Sequence, residues 1–277
     1  MSIQKILVPV DYSDCSKNAL YSAIKLCNAF HAKLTLLHAF QVPAIPGEPG
    51  GAAIIQDISG EAEQDATQGM KQIIQDFPSL AHIEFNSTII HAYPTEAIQT
   101  LIEKEEYDLV VMGTEGSAGL LEEKLIGSNT YSVIRNANIP VLAIPSSTQI
   151  EDLMDIAFAG DYQKIEDKAI FDVLMELCNF FNSTLHILHV NEMDSKITAD
   201  EAFEAKKFKL YFKHVKHNYH FITNDDIEEG IYDYLDSHKI SLLVMIPRKH
   251  KLFDRIFKES LTKKIACHAK VPFMTLS

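Results

Sequence analysis

Short apolar runs alternate with stretches of helical periodicity along the first half of the chain. Lys5-Ile6-Leu7-Val8-Pro9-Val10-Asp11 reads as a buried strand ending in Asp11. Ser13 or Asp14 then caps a helix whose apolar positions Ala19, Leu20, Ala23, Ile24 and Cys27 recur at helical spacing. A second apolar run, Leu34 to Ala39, follows one helix length later, and further strands are expected near 83–90, 107–112 and 139–144. Helices are expected at about 62–77 and 95–104, with another over Tyr131 to Asn136. Continuous apolar strands separated by helices are the signature of a parallel sheet covered on both faces. The stretch 42–60 holds three prolines and four glycines and is expected to be a long surface loop, either a lid or plain disorder.

The pattern then repeats. Asp161-Tyr162 falls 150 positions after Asp11-Tyr12, Leu185 to Val190 parallels Leu34 to Ala39, and Val271 to Thr275 parallels the run near 139–143. The chain therefore reads as a tandem duplication, with domains at 1–146 and 153–277 joined by a polar linker over 146–153. A shorter loop at 191–198 and a shorter segment after the fourth strand account for the shorter second copy. Each half is expected to be a flavodoxin-like, Rossmann-like layer structure of five parallel strands.

Of the 277 residues 47% are hydrophobic, enough for a substantial core, and no apolar run reaches the ~20 residues that span a bilayer. Met1-Ser2-Ile3-Gln4-Lys5 leads straight into a strand pattern rather than a signal peptide, so a cytoplasmic protein without membrane contact is expected. Cys15, Cys27, Cys178 and Cys267 are far apart, which argues against a zinc site or a C-x-x-C redox pair; they read as reduced thiols on helices. A formal net charge of −13 disfavours nucleic acid as a partner. The acid excess is concentrated in residues 1–145, with 8 Lys+Arg against 17 Asp+Glu.

The candidate chemistry lies in Leu109-Val110-Val111-Met112-Gly113-Thr114-Glu115-Gly116, continuing to Gly127-Ser128-Asn129-Thr130. The order is strand, glycine loop, helix start. Glycines there permit positive φ and close approach of a ligand, and the free amides of a helix start attract anions. Ser128 or Asn129 can cap that helix and also donate to a phosphate. No Walker loop and no G-x-G-x-x-G fingerprint is present. The segment resembles that of the universal stress protein family, whose ATP-binding members carry G-x2-G-x9-G-[ST] after the fourth strand; here ten residues separate Gly116 from Gly127.

The resemblance implies an adenine nucleotide alpha hydrolase-like fold in each half and ATP as ligand of the first. It implicates Pro9, Val10 and Asp11 after the first strand, Ala39 through its backbone, and Met112, Gly113, Gly116, Gly127, Ser128, Asn129 and Thr130. It further implies an intramolecular pseudo-dimer through the final strands 139–144 and 270–275, with pairing of whole chains into a homodimer and an unidentified protein partner as further expectations. In the second half Pro247-Arg248-Lys249-His250-Lys251 and Glu259-Ser260 replace the glycine motif, so that nucleotide site reads as lost.

Each residue also has a plainer role. Asp11 reads equally well as a turn aspartate, and the glycines as a tight turn. His38 and His189 read as satisfied core histidines. Glu115, Glu122 and Glu123 read as a solvated face, with Mg2+ bridging carboxylate and phosphates as the alternative. The basic run 248–251 with Arg255 and Lys258 reads as a solvated loop. No general base or cationic clamp stands near the first glycine loop and Ser128 has no His–Asp partnership, so the expected role is nucleotide-dependent regulation or scaffolding, with slow ATP hydrolysis or group transfer, or a nucleotide-free scaffold, as alternatives.

Overall fold

The computed structural model describes residues 3–42, 51–115, 127–160, 168–191, 206–246 and 271–277. Its centre is a ten-stranded sheet in the order β3-β2-β1-β4-β5-β10-β9-β6-β7-β8. The first-half strands are β1 (Lys5–Pro9), β2 (Lys33–Phe40), β3 (Phe85–His91), β4 (Leu109–Gly113) and β5 (Val141–Ile144). The second set is β6 (Asp155–Ala159), β7 (Thr184–Asn191), β8 (His217–Thr223), β9 (Leu242–Met245) and β10 (Phe273–Thr275). Each set of five is parallel within itself, and the final strands β5 and β10 join the sets antiparallel, with Leu142 opposite Met274. The second set repeats the strand order of the first, and the final strand of each set pairs with that of the other. The edge strand β8, with its polar and histidine-rich sequence, had no counterpart in the apolar pattern.

Helices cover both faces. On one lie α1 (Asp14–Phe30), α2 (Gly51–Asp76), α5 (Asp172–Phe181) and α6 (206–211), and the core between them and the sheet includes Leu20, Ile24, Met70, Leu174 and Phe208. On the other lie α3 (Pro94–Lys104), α4 (Ser128–Asn136) and α7 (Ile227–His238), which bury Ile98, Val133, Ile231 and Leu235. Burial of apolar side chains on both faces explains why the central strands are almost continuously hydrophobic.

Two expectations change. Residues 51–60 are not loop: α2 starts at Gly51, eleven positions before the expected start at 62. Two glycines there, Gly51 and Gly60, were read as breakers, but Gly60 costs a helix only about 1 kcal/mol against alanine and sits among good helix formers. Residues 43–50 lie outside the described residues. The segment 146–153 is not a loose linker either. Ile150 and Leu153 are buried, and the Asn18 side-chain amide donates to Pro145 O (2.7 Å) and Thr148 O (2.5 Å), strapping the connection to α1. Across the junction of the halves, Ile3 N–H donates to a Glu176 carboxylate oxygen at 2.9 Å and Phe30 packs on Phe180. No helix among the described residues is long and apolar enough to cross a membrane.

Candidate functional site

The carboxyl ends of β1, β2 and β4 bring most of the sequence-predicted residues to one edge of the first half. After β1 the chain turns at Asp11, whose carboxylate accepts the Ser13 N–H (3.1 Å) and hydroxyl (2.5 Å). Ser13 in turn caps α1 by accepting the Ser16 N–H at 3.2 Å. Asp11 thus shapes the turn, the plainer of its two roles. Between them Tyr12 adopts φ 66°, a left-handed conformation uncommon for a bulky residue. Its ring stacks on His38 at 4.2 Å and its hydroxyl donates to Ala66 O in α2 at 2.7 Å. A Cβ on Gly69 would fall 2.4 Å from that ring, so Gly69 is what lets α2 approach Tyr12. Sequence reading missed this tie because its members lie 57 positions apart.

His38 Nδ1 donates to Val10 O at 2.8 Å, and Val10 N–H donates to Leu37 O at 2.8 Å, locking the ends of β1 and β2 together. Burial pushes the His38 imidazole below its ordinary range, partly offset by the carbonyl of Val10 and the charge of Asp11. His189 repeats the arrangement in the second half, with Nδ1 toward Gly160 O at 3.4 Å. Both histidines are tied to backbone, as expected of core histidines.

At the end of β4 a Cβ on Gly113 would meet Cys15 Sγ at 2.8 Å and Cys15 backbone at 3.1 Å, so its missing side chain admits the start of α1. Cys15 is 4% exposed, and burial pushes its thiol up. Cys15, Cys27 and Cys178 are free and buried on helices; Cys267 lies outside the described residues. Gly127 is the cap residue of α4 at φ −63°, so positive φ is required at neither described glycine, and neither Ser128 nor Asn129 caps the helix. Thr130 is buried, and its hydroxyl donates to Gly113 O at 2.8 Å, tying α4 to β4. Gly127 N–H donates to Thr114 O at 2.6 Å, closing the two ends of the loop on each other.

What remains open at this edge is the first turn of α4. Ser128 and Asn129 are exposed, Gly127 is half-buried, and among the described residues no side chain caps the helix. The amides of an uncapped first turn are what make helix starts anion sites. Pro9, Asp11 and Ala39 are half-buried at the same strand ends, while Val10 and Met112 are buried beneath them. Glu115 accepts from the Ser146 hydroxyl at 3.3 Å. Gly116, Glu122, Glu123 and the replaced motif of the second half at 247–260, with Asp161 and Tyr162, lie outside the described residues. No group of three or more His, Cys, Asp or Glu among the described residues is placed to hold a metal ion. A separate groove of about 320 Å³ between α3 and α4, lined by Glu96, Gln99, Ser132 and Asn136 among others, contains none of the predicted residues.

The model of the universal stress protein family matches residues 2–145. Universal stress protein MJ0531 of Methanocaldococcus jannaschii is 33% identical over 143 residues, covering 51% of this chain and 81% of that protein. Universal stress protein MJ0577 of the same organism is 28% identical over 155 residues, covering 51% and 94%. Among solved structures, a universal stress protein from Archaeoglobus fulgidus superposes on 100% of this chain and 99% of its own with a TM-score of 0.63 at 15% identity, a likeness of fold alone.

Proposed function

Because this chain belongs to the universal stress protein family, we propose that its first half binds an adenine nucleotide, ATP in the first instance, and that occupancy regulates the contacts of the whole chain. The two halves then form an internal pseudo-dimer whose second member has given up the nucleotide. The observation that carries this reading is the uncapped first turn of α4, open at the strand edge where Asp11 and Ala39 also stand. Main-chain amides of Ser128 and Asn129 would hold phosphate oxygens, with the Ser128 hydroxyl as a further donor. The strand ends after β1 and β2 would take the nucleoside, at the switch point between β1 and β4 where open α/β sheets receive ligands. In this proposal Mg2+ accompanies the phosphates, with Glu115 of the glycine segment as a carboxylate available to it. The role is binding rather than turnover.

Titration calorimetry with ATP, with and without Mg2+, on the full chain freed of co-purified nucleotide tests it. Ser128→Glu is the discriminating variant. An acidic residue in the first turn favours the helix by about 0.3–1 kcal/mol yet repels a phosphate, so folding is kept and affinity falls at least about tenfold. Equal heats from wild type and variant would refute the assigned edge, and no heat from the wild type would refute the ligand.

A further inference from the structure

On the opposite side of the sheet, in the second half, four elements bring five side chains together. Asp155 starts β6, His186 lies on β7, His220 on β8, and Tyr234 and His238 lie in the last turns of α7. His186 is 8% exposed and stands between two partners, with Nε2 2.9 Å from an Asp155 carboxylate oxygen and Nδ1 2.7 Å from the Tyr234 hydroxyl. A carboxylate only accepts, so Nε2 carries a proton, and Nδ1 pairs with the Tyr234 hydroxyl. The His220 ring lies flat against His186, centroids 5.3 Å apart and 14° between planes, and 5.9 Å from the His238 ring. Its Nε2 is buried with no hydrogen-bond partner among the described residues. His238 is exposed, stacks on Tyr234 at 3.8 Å and turns Nδ1 toward the Ser237 hydroxyl at 2.8 Å. The stacked rings do not converge on a point and both His186 nitrogens are engaged, so the cluster is not a metal site.

We propose that this cluster is a proton-operated latch, which holds α7 on β7 and β8 near neutral pH and releases it when His220 takes up a proton. The one carboxylate of the cluster, Asp155, is engaged with His186 Nε2. Among the described residues the groups in ring contact with His220 are His186 from β7 and His238 and Tyr234 from α7, none of them a carboxylate, while Asp233, Asp236 and Lys239 are exposed. A protonated imidazole carries an N–H on both nitrogens, so a proton on His220 leaves a buried N–H at Nε2 without an acceptor among the described residues. Burial and the nearness of His186 and His238 already hold the His220 imidazole below its ordinary range. Moving α7 away hydrates His220 and separates it from His238, and uncovers the apolar residues Ile231 and Leu235.

Hydrogen exchange of the full chain at pH 7.5 and 5.5, corrected for the intrinsic pH dependence of exchange, tests the latch. In the wild type, α7 amides are expected to exchange on the order of tenfold faster at pH 5.5, while α3, which holds the corresponding place in the first half, keeps its protection. His220→Phe keeps a flat ring and loses no bond from Nε2; it is expected to abolish the difference in α7. Asp155→Asn removes the counter-charge and is expected to raise α7 exchange already at pH 7.5. Should His220→Phe not fold, His238→Gln reads the same property as a smaller pH response. Equal responses of α7 and α3, or a wild-type response in both histidine variants, would overturn the proposal.

Discussion

The place that the histidine cluster fills in the second half is filled in the first by Lys5, Thr35, Thr88, Leu101 and Glu105. The register fixes the correspondence: Leu7 opposes Thr35 as Ala157 opposes His186, and Leu37 opposes Thr88 as Leu188 opposes His220. Leu101 and Glu105 stand eight and four positions before Leu109, as Tyr234 and His238 stand before Leu242. In the first half Lys5 pairs with Glu105, and the Tyr107 hydroxyl lies 3.2 Å from Thr35 Oγ1. None of these residues is a histidine, the side chain whose ordinary titration range lies between pH 5 and 8. At the other edge the asymmetry reverses. The first half ends β4 on Gly113 and opens α4, while in the second Ile246 takes the place of Gly113 just after β9, and Phe158, where the first half has Val8, packs against Phe171, Phe208 and Phe212. One topology thus supports a polar edge in one copy and an aromatic plug with a titrating cluster in the other, so neither feature is demanded by the fold.

Substitutions that move one copy toward the other probe that contrast. The largest effect is expected from Phe158→Ala, which empties the aromatic cluster and costs about 3–5 kcal/mol in denaturant midpoints, against a smaller loss for Val8→Ala. Gly113→Ala, a step toward Ile246, should cost about 1–3 kcal/mol by pressing on Cys15. Cys15→Ala in the same chain should recover part of that loss, and strict additivity in the double-mutant cycle would show that the contact is not the cause.

A pH series gives the next effect. His38 and His220 are both held below the ordinary imidazole range, so the unfolded chain binds their protons more readily than the folded one. Their contribution is complete above the unfolded value of about 6.5 and is lost as pH falls below it. Melting temperatures should accordingly fall from pH 7.5 to 5.5, less so in His220→Phe, and a flat profile in the wild type would contradict the buried neutral rings. The smallest change is expected from Glu105→Gln, whose exposed pairing with Lys5 should leave both the melting temperature and its pH profile almost unmoved.

Much of this architecture was legible from apolar runs because buried strands must be hydrophobic on both faces. The start of α2 was hidden by the glycines at 51 and 60, whose meaning depends on what surrounds them. β8 was hidden because an edge strand need not be apolar. The glycine segment was legible as strand, loop and helix start, but not what its parts touch: Gly113 meets Cys15, 98 positions away, and the Thr130 hydroxyl bonds Gly113 O. The histidine cluster could not be read at all, since its five members are scattered over 84 positions and meet only through strand register. His186 and His189, three residues apart, look alike in sequence yet lie on opposite faces of the sheet.

The strap over 146–153 and the antiparallel seam between β5 and β10 have a consequence for how such a molecule can change. Two identical chains meeting at that seam must carry every substitution twice, once on each side. A tethered pair meets at high local concentration whatever its sequences, and each member is free to drift separately. A single chain can then keep one ancestral specialisation while trying another, provided that the residues of the seam itself stay compatible.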